Sequence, residues 1–209
     1  MNRDNRFYLL LILYHLIGFL GIMYEPTQTF FIKAIPLSIV ALLLFVLYLN
    51  KEALKSFSIF SFGVFSCVML VEILGLNVGE FFGKYKFGET LGVKIATVPV
   101  FLGVLFINWI YAVGQTTYLI KRLNPMIRAL IGSVFIVIFD LFLEPVAVKL
   151  NYWTWENGLI PFKNYLLWFV LSYVLLNFFY ALHLPLKPKM GAIIFIAQLL
   201  LFTSLYLFL

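Results

Sequence analysis

Charged residues are scarce in this sequence. Only 11% of its 209 residues are Asp, Glu, Lys or Arg, whereas 64% are hydrophobic and the mean hydropathy is +1.04. Soluble domains are about 25% charged and about 45–50% apolar, so a buried core alone does not account for this composition. A helix that spans a bilayer needs about 20 mostly apolar residues. The composition therefore predicts an integral membrane protein without a large soluble domain.

Cysteine and histidine are almost absent. Cys67 is the single cysteine, which excludes a disulfide within the chain and a cysteine-rich metal site. Two histidines, His15 and His183, are too few for the ligand set of a membrane di-iron hydroxylase. The sequence has no Asp-rich pair to hold a magnesium diphosphate, and residues 191–209 lack the lysine that a retinal Schiff base requires. We therefore expect no metal and no cofactor.

The basic residues outnumber the acidic ones, and the formal net charge is +6. In a soluble protein this charge would suggest nucleic acid as a partner. Here the basic residues lie in short segments between apolar runs, so membrane topology is the simpler explanation, and we expect no nucleic acid. The loops of one side carry nine Lys and Arg residues against six on the other. The positive-inside rule then predicts a multi-pass protein of the cell (inner, cytoplasmic) membrane with its N-terminus in the cytoplasm.

Apolar runs long enough to cross a membrane occur seven times. They do not alternate as the strands of a β-barrel would, and a helix satisfies its own backbone polar groups in lipid. The sequence therefore predicts an all-α, polytopic integral membrane protein with about seven transmembrane helices in one bundle, as a single domain over residues 1–209. The runs comprise residues 7–23, 30–49, 57–76, 96–120, 129–148, 164–184 and 191–209.

Three acids, Glu72, Asp140 and Glu144, lie inside these apolar runs. An acid near the middle of the bilayer costs roughly 2.5–3.5 kcal/mol on insertion scales, so it is a functional candidate by default. Asp140 and Glu144 are four residues apart and share one face of their helix, and Pro145 is predicted to end or kink that helix. Burial and mutual repulsion disfavour ionisation, so we expect one acid to stay protonated and to serve as a general acid. The alternative is a structural role, with the acids hydrogen-bonded between helices or paired with Lys or Arg.

Two loops, residues 77–94 and 149–163, are longer than the others and combine glycine, aromatic and charged residues. Both fall on the predicted outer side of the membrane. Trp and Tyr are common at membrane interfaces, which explains part of this composition. Because the three acids lie in the outer parts of their spans, we predict that they meet beneath these two loops.

The order of the motifs in residues 71–168 resembles that of the CruF-type carotenoid hydratases, a family of membrane proteins of carotenoid biosynthesis. The resemblance rests on Glu72-Ile-Leu-Gly75, the D-x-x-x-E-P motif at 140–145, the W-x-W motif at 153–155 and the P-x-x-N-x-x-x-W motif at 161–168. The remaining runs match only in hydrophobicity.

This resemblance implies a hydro-lyase without a cofactor, which adds water to the terminal double bond of an acyclic carotenoid end group, such as that of lycopene or γ-carotene, and forms a tertiary alcohol. We hypothesise that Asp140 donates the proton, that Glu72 stabilises the cation or activates water, and that Glu144 is a supporting acid. Aromatic side chains would shield the cation, and Asn164 would hold the water. The substrate-binding residues so implied are Tyr85, Trp109, Trp153, Trp155, Asn164 and Trp168.

Three other functions stay open at this point. A membrane carotenoid cyclase would begin with the same protonation but let an internal alkene capture the cation. A transporter or proton channel often contains inverted repeats, and we find no matching halves in the sequence. A structural membrane subunit would leave the three acids without a role. The expected partners are the lipid bilayer, a carotenoid substrate and other carotenoid enzymes.

Overall fold

The computed structural model describes residues 3–209, except for the side chains at positions 3, 78, 79 and 157. Its helices are α1 (Arg3–Met23), α2 (Glu25–Lys33), α3 (Ile35–Leu49), α4 (Leu54–Leu74), α5 (Val100–Thr117), α6 (Pro125–Lys149), α7 (Phe162–Ala181) and α8 (Pro188–Phe208). Its strands are β1 (Tyr85–Phe87), β2 (Lys94–Ile95), β3 (Val98–Pro99) and β4 (Trp153–Trp155). Six helical segments of this described part are long and apolar enough to span a membrane, and the bent pair of α2 and α3 brings the number to as many as seven. The predicted all-α membrane fold is thereby confirmed.

The second predicted span, residues 30–49, is not one continuous helix. Helices α2 and α3 meet at an angle of 60° around Ala34. Pro36 lies in the first turn of α3, where its missing N–H would be unpaired in any case. In a continuous helix, the same proline would clash with the carbonyl of the residue four positions earlier. The break therefore falls where the proline is tolerated.

Two other predicted boundaries differ from the structure. The span predicted from residue 96 begins as a helix only at Val100, because Ala96 and Thr97 adopt positive φ angles of 47° and 73° in the turn between β2 and β3. Helix α6 continues through Pro145 to Lys149. Of the two outcomes predicted for Pro145, an end or a kink of the helix, the structure excludes the end, and Glu144 lies within a helical turn instead of at a terminus.

Helix α5 occupies the centre of the bundle. It packs against α3, α4, α6, α7 and α8, and 14 of its 18 residues are buried. Gly191 allows α8 to approach closely, since a Cβ atom there would lie only 2.8 Å from the carbonyl oxygen of Ala112. Because α5 is apolar around most of its circumference, it can line separate cavities on its different sides.

The two unusual loops are joined by a short antiparallel ribbon of β1 and β4, in which Tyr85 pairs with Trp155 and Phe87 with Trp153. Successive side chains of a strand point to opposite faces. The four aromatic residues therefore share one face, whereas Lys86 and Thr154 are exposed on the other. We call the segments 85–87 and 153–155 the aromatic ribbon.

Candidate functional site

The three intramembrane acids line one cavity beneath the aromatic ribbon. Glu72 lies in the last turn of α4, and Asp140 and Glu144 lie in successive turns of α6. Their side chains are buried, with exposed fractions of 3%, 5% and 1%. The open space of this cavity is small. Aromatic rings occupy its margins so closely that the remaining open space holds about one water molecule.

Glu144 is held in place by three hydrogen bonds. The indole nitrogens of Trp153 and Trp155 each donate to its Oε2 atom at 2.8 Å. The amide nitrogen of Asn164 donates to its Oε1 atom, also at 2.8 Å. An indole N–H is a donor only, and three donors directed at one carboxyl group stabilise its negative charge. Residues from β4, α6 and α7 are thus tied together at one side chain.

Asp140 has a different environment. Asn164, in the first turn of α7, places its Nδ2 atom 3.4 Å from Oδ2 of Asp140, a longer hydrogen bond than the one it donates to Glu144. Asn164 therefore bridges the two acids of α6. Because Asp140 receives only this long hydrogen bond within the described residues, its carboxyl group is the least constrained of the pair.

Glu72 accepts a hydrogen bond from the hydroxyl group of Tyr85. Tyr85 belongs to β1, outside the helices, and its burial together with the adjacent Glu72 carboxylate raises the pKa of its phenol. The phenol thus remains protonated at neutral pH and donates to Glu72. This hydrogen bond ties the other strand of the ribbon to α4.

The cavity contains acids without basic partners. Among the described residues, no Lys, Arg or His lines it. The ion pairs in the described part of the chain lie outside the cavity and involve Glu80, Glu89 and Glu156. The structural alternative with paired Lys or Arg is therefore wrong for this part of the chain. The other structural alternative is partly met, since Asn164 of α7 hydrogen-bonds to Glu144 of α6.

Stacked aromatic rings form much of the cavity wall. Trp168 of α7 lies between Phe82 and Phe106, with ring centroids 4.8 and 4.3 Å away. Trp109 packs against Phe139 at 4.7 Å, and its buried indole N–H has no hydrogen-bond partner among the described residues. A buried unpaired donor costs about 1–3 kcal/mol, so this N–H is suited to bind a polar atom that enters the cavity.

The nine residues singled out from the sequence all line this one cavity. Five further residues complete the lining and were not predicted from the sequence: Phe82, Phe87, Leu102, Phe106 and Leu143. Two of these carried a detectable signal. Phe87 follows Tyr85 at the spacing of two that places strand residues on one face, and Phe106 precedes Trp109 by three positions, on the same side of a helix.

Comparisons with known proteins agree with these observations. The family described as carotenoid biosynthesis protein matches residues 31–207. The chain is also similar to the bisanhydrobacterioruberin hydratase of Haloarcula japonica, with 25% identity over 123 residues, which are 56% of this chain and 40% of that protein. The chain thus aligns with less than half of the length of this relative. No solved structure matches it.

Proposed function

Because this chain belongs to the carotenoid biosynthesis protein family, we propose that it is a membrane carotenoid hydratase. Its substrate would be an acyclic carotenoid end group, such as that of lycopene or γ-carotene, and its product a tertiary alcohol. The observation that carries the proposal is the group of three buried acids that have no basic partner among the described residues, in a cavity walled by aromatic rings. The related protein of Haloarcula japonica is a hydratase by name, which supports the same reaction class.

The first step is a proton transfer from Asp140 to the alkene carbon that bears a hydrogen atom. The two π electrons form the new C–H bond, and the positive charge remains on the tertiary carbon. Asp140 suits this role because, in the part of the chain that the structure describes, it is held only by the 3.4 Å hydrogen bond from Asn164. Glu144, by contrast, accepts three shorter hydrogen bonds, and so it suits the role of a fixed negative charge beside the cation.

In the second step, the oxygen atom of a water molecule forms a bond to the tertiary carbon, and the excess proton leaves to a carboxylate. The net change is the addition of one water, and the accepting carboxyl group must then return the proton to Asp140, directly or through a water molecule, to regenerate the acid. Glu72 suits the role of proton acceptor, with Tyr85 as its hydrogen-bond donor. Asn164 uses its amide nitrogen for the two acids of α6, so its carbonyl oxygen is the atom that we expect to orient the water.

The aromatic wall would shield the cation until water arrives. A cation above an aromatic face is stabilised by about 2 kcal/mol when water is excluded. Trp168 and its two stacked neighbours offer such faces. Because the open space is about that of one water molecule, an entering end group must displace some of these rings. Side reactions with bulk water would be excluded by the same close packing.

Expression of the full chain in a bacterium that produces lycopene or γ-carotene tests the proposal. Hydration adds the mass of one water for each reacted end, whereas the alternative, a carotenoid cyclase, changes retention but not mass. Cells that carry the Asp140→Asn variant serve as the matched control. An unchanged pigment profile with a well-expressed wild-type protein would contradict both activities. For localisation, we propose the cytoplasmic membrane with the N-terminus inside, which leaves the aromatic ribbon outside.

A further inference from the structure

Four helices and the aromatic ribbon enclose the cavity of the acids. The helices are α4, α5, α6 and α7, and α5 occupies the centre of the bundle. A molecule that arrives from the lipid therefore reaches the cavity either between α6 and α7 or between α4 and α7. Helices α6 and α7 form the most extensive contact between two helices of the described chain, whereas α4 and α7 touch at few points. The seam between α4 and α7 is thus the weakest part of the wall.

The two ends of this seam are closed in different ways. Far from the ribbon, the ring of Phe178 of α7 fills the space that a side chain at Gly63 of α4 would need. Close to the ribbon, the seam is closed by Phe82, which belongs to neither helix. Its ring stacks on Trp168 of α7 at a centroid distance of 4.8 Å. On the other side of the seam, a Cβ atom at Gly75, directly after α4, would lie only 3.1 Å from this ring.

Phe82 differs from the other described residues that line the cavity, because it alone lies outside the helices and strands. It belongs to a β-turn in which the amide of Gly83 donates to the carbonyl oxygen of Glu80 at 3.0 Å. Lys163 of α7 donates to the same carbonyl oxygen at 2.8 Å and so holds the start of the turn in place. A turn can absorb backbone rotations that would break the hydrogen bonds of a helix or a paired strand. Phe82 can therefore move while its neighbours stay anchored.

Displacement of the other rings would disturb more of the structure. Tyr85, Trp153 and Trp155 donate hydrogen bonds to the acids, and the remaining aromatic residues of the wall belong to helices or to the ribbon. The phenyl ring of Phe82 makes no hydrogen bond, so its displacement sacrifices only its packing, chiefly the stacking on Trp168. An end group that enters a cavity with room for one water molecule would therefore displace Phe82 first.

We propose that the carotenoid end group passes between α4 and α7 by displacing the ring of Phe82, and that it then stacks on the face of Trp168 which this ring vacates. This inference rests on the proposed function for the identity of the end group. A phenyl ring and an isoprene unit have similar sizes, so the vacated place accommodates the end of the substrate. There it lies beside Tyr85, whose ring is 6.3 Å from that of Phe82 and whose hydroxyl group donates to Glu72. Phe82 thus determines which end groups reach the acids.

Fluorine NMR follows the ring of Phe82 directly. The variant Phe82→4-fluorophenylalanine of the full chain is placed in nanodiscs that contain a nitroxide-labelled phosphatidylcholine, and lycopene is added as the probe. Without lycopene we expect little broadening by the nitroxide, because Phe82 is 1% exposed; with lycopene the signal should broaden strongly. The matched control is Phe106→4-fluorophenylalanine, since Phe106 stacks on the same Trp168 at 4.3 Å but lies on α5. Its signal should remain sharp.

The outcomes separate this inference from the proposed function. Broadening at position 82 alone supports the route. Broadening at both positions or at neither would overturn it. The mass of the pigment is measured in parallel: hydration without exposure of position 82 overturns the route only, whereas exposure of position 82 without hydration supports the route and contradicts the proposed reaction.

A pair of variants tests the same displacement through binding. All four tryptophans of the chain line the cavity, so saturable quenching of their fluorescence by lycopene reports its binding there. In Phe82→Ala no ring has to leave its stacked position, and the half-saturating mole fraction of lycopene should be about three- to tenfold lower than in the wild type. Phe162→Ala, at a position 79% exposed on α7, should bind as the wild type does. Unchanged or weaker binding by Phe82→Ala would overturn the proposal. If that variant does not fold, Phe82→Leu replaces it.

Discussion

Trp155 donates its indole N–H to Glu144 at 2.8 Å, and this hydrogen bond joins strand β4 of the aromatic ribbon to helix α6. The strand partner of Trp155 is Tyr85, which in turn donates to Glu72. The ribbon is therefore fastened to two helices through the acids themselves. Loss of one of these donors should affect both the stability of the ribbon and the environment of the acids.

The first prediction concerns the hydrogen bond between Trp155 and Glu144. Trp155→Phe removes one donor to Glu144 but keeps an aromatic ring against Tyr85, so we expect a loss of about 1–3 kcal/mol in unfolding free energy. Glu144→Gln should cost a similar amount, because its NH2 group would face a hydrogen-bond donor, either the two indoles or the amide nitrogen of Asn164. The double variant should cost less than the sum, and thermal unfolding in detergent measures all three. Strict additivity would show that the two residues do not interact.

The second prediction concerns proton donation. Asp140→Asn should lower hydration of the carotenoid by at least about 100-fold, since a general acid commonly contributes that much or more. Product mass analysis per amount of membrane protein measures the effect. Glu156→Gln is the control: Glu156 is exposed and pairs with Lys84 at 3.6 Å, and an exposed pair contributes about 0–1 kcal/mol. Full hydration by Asp140→Asn would remove Asp140 from the mechanism.

The third prediction concerns the shielding of the cation. Trp168→Ala should reduce hydration by about thirtyfold, which corresponds to the loss of about 2 kcal/mol of cation–π stabilisation. Trp168→Phe should retain most of the activity, because it preserves a ring between Phe82 and Phe106. The comparison is made on product formed per amount of folded protein. Equal activities of the two variants would assign Trp168 a packing role.

The fourth prediction concerns alkaline pH. Burial and the Glu72 carboxylate raise the pKa of Tyr85 in the folded protein, whereas a tyrosine of the unfolded chain titrates near pH 10. Above about pH 10 the unfolded state therefore binds fewer protons than the folded state, and the free energy of unfolding falls as the pH rises. This contribution is fully present below about pH 10.

Comparison of Tyr85→Phe with the wild type measures this dependence. The variant should show a shallower decline of the unfolding temperature above about pH 10. Tyr24→Phe provides the control, since Tyr24 is exposed. Parallel declines in wild type and Tyr85→Phe would contradict the raised pKa of Tyr85.

Some of the site residues could be predicted from the sequence, and others could not. Glu72, Asp140 and Glu144 stand out because an acid in an apolar run carries a large insertion cost, and the spacing of Asp140 and Glu144 already places them on one helical face. Phe82 has no comparable signal, since it is one of 24 phenylalanines. The ribbon was equally hard to predict, because its strands of three residues are too short for a reliable period-two pattern.

The amino-acid sequence by itself determined that this is a helical membrane protein, because the thickness and apolarity of a bilayer translate directly into the length and composition of a span. It also determined which few ionisable groups lie inside those spans. Only the tertiary structure decided that β1 and β4 pair to cover the acids, and that the acids of α4 and α6 line one cavity with the aromatic residues of both loops. Contacts between residues distant in the chain depend on which helices pack side by side. In lipid, many arrangements of apolar helices are equally compatible with their hydrophobicity, so hydrophobicity does not select one of them.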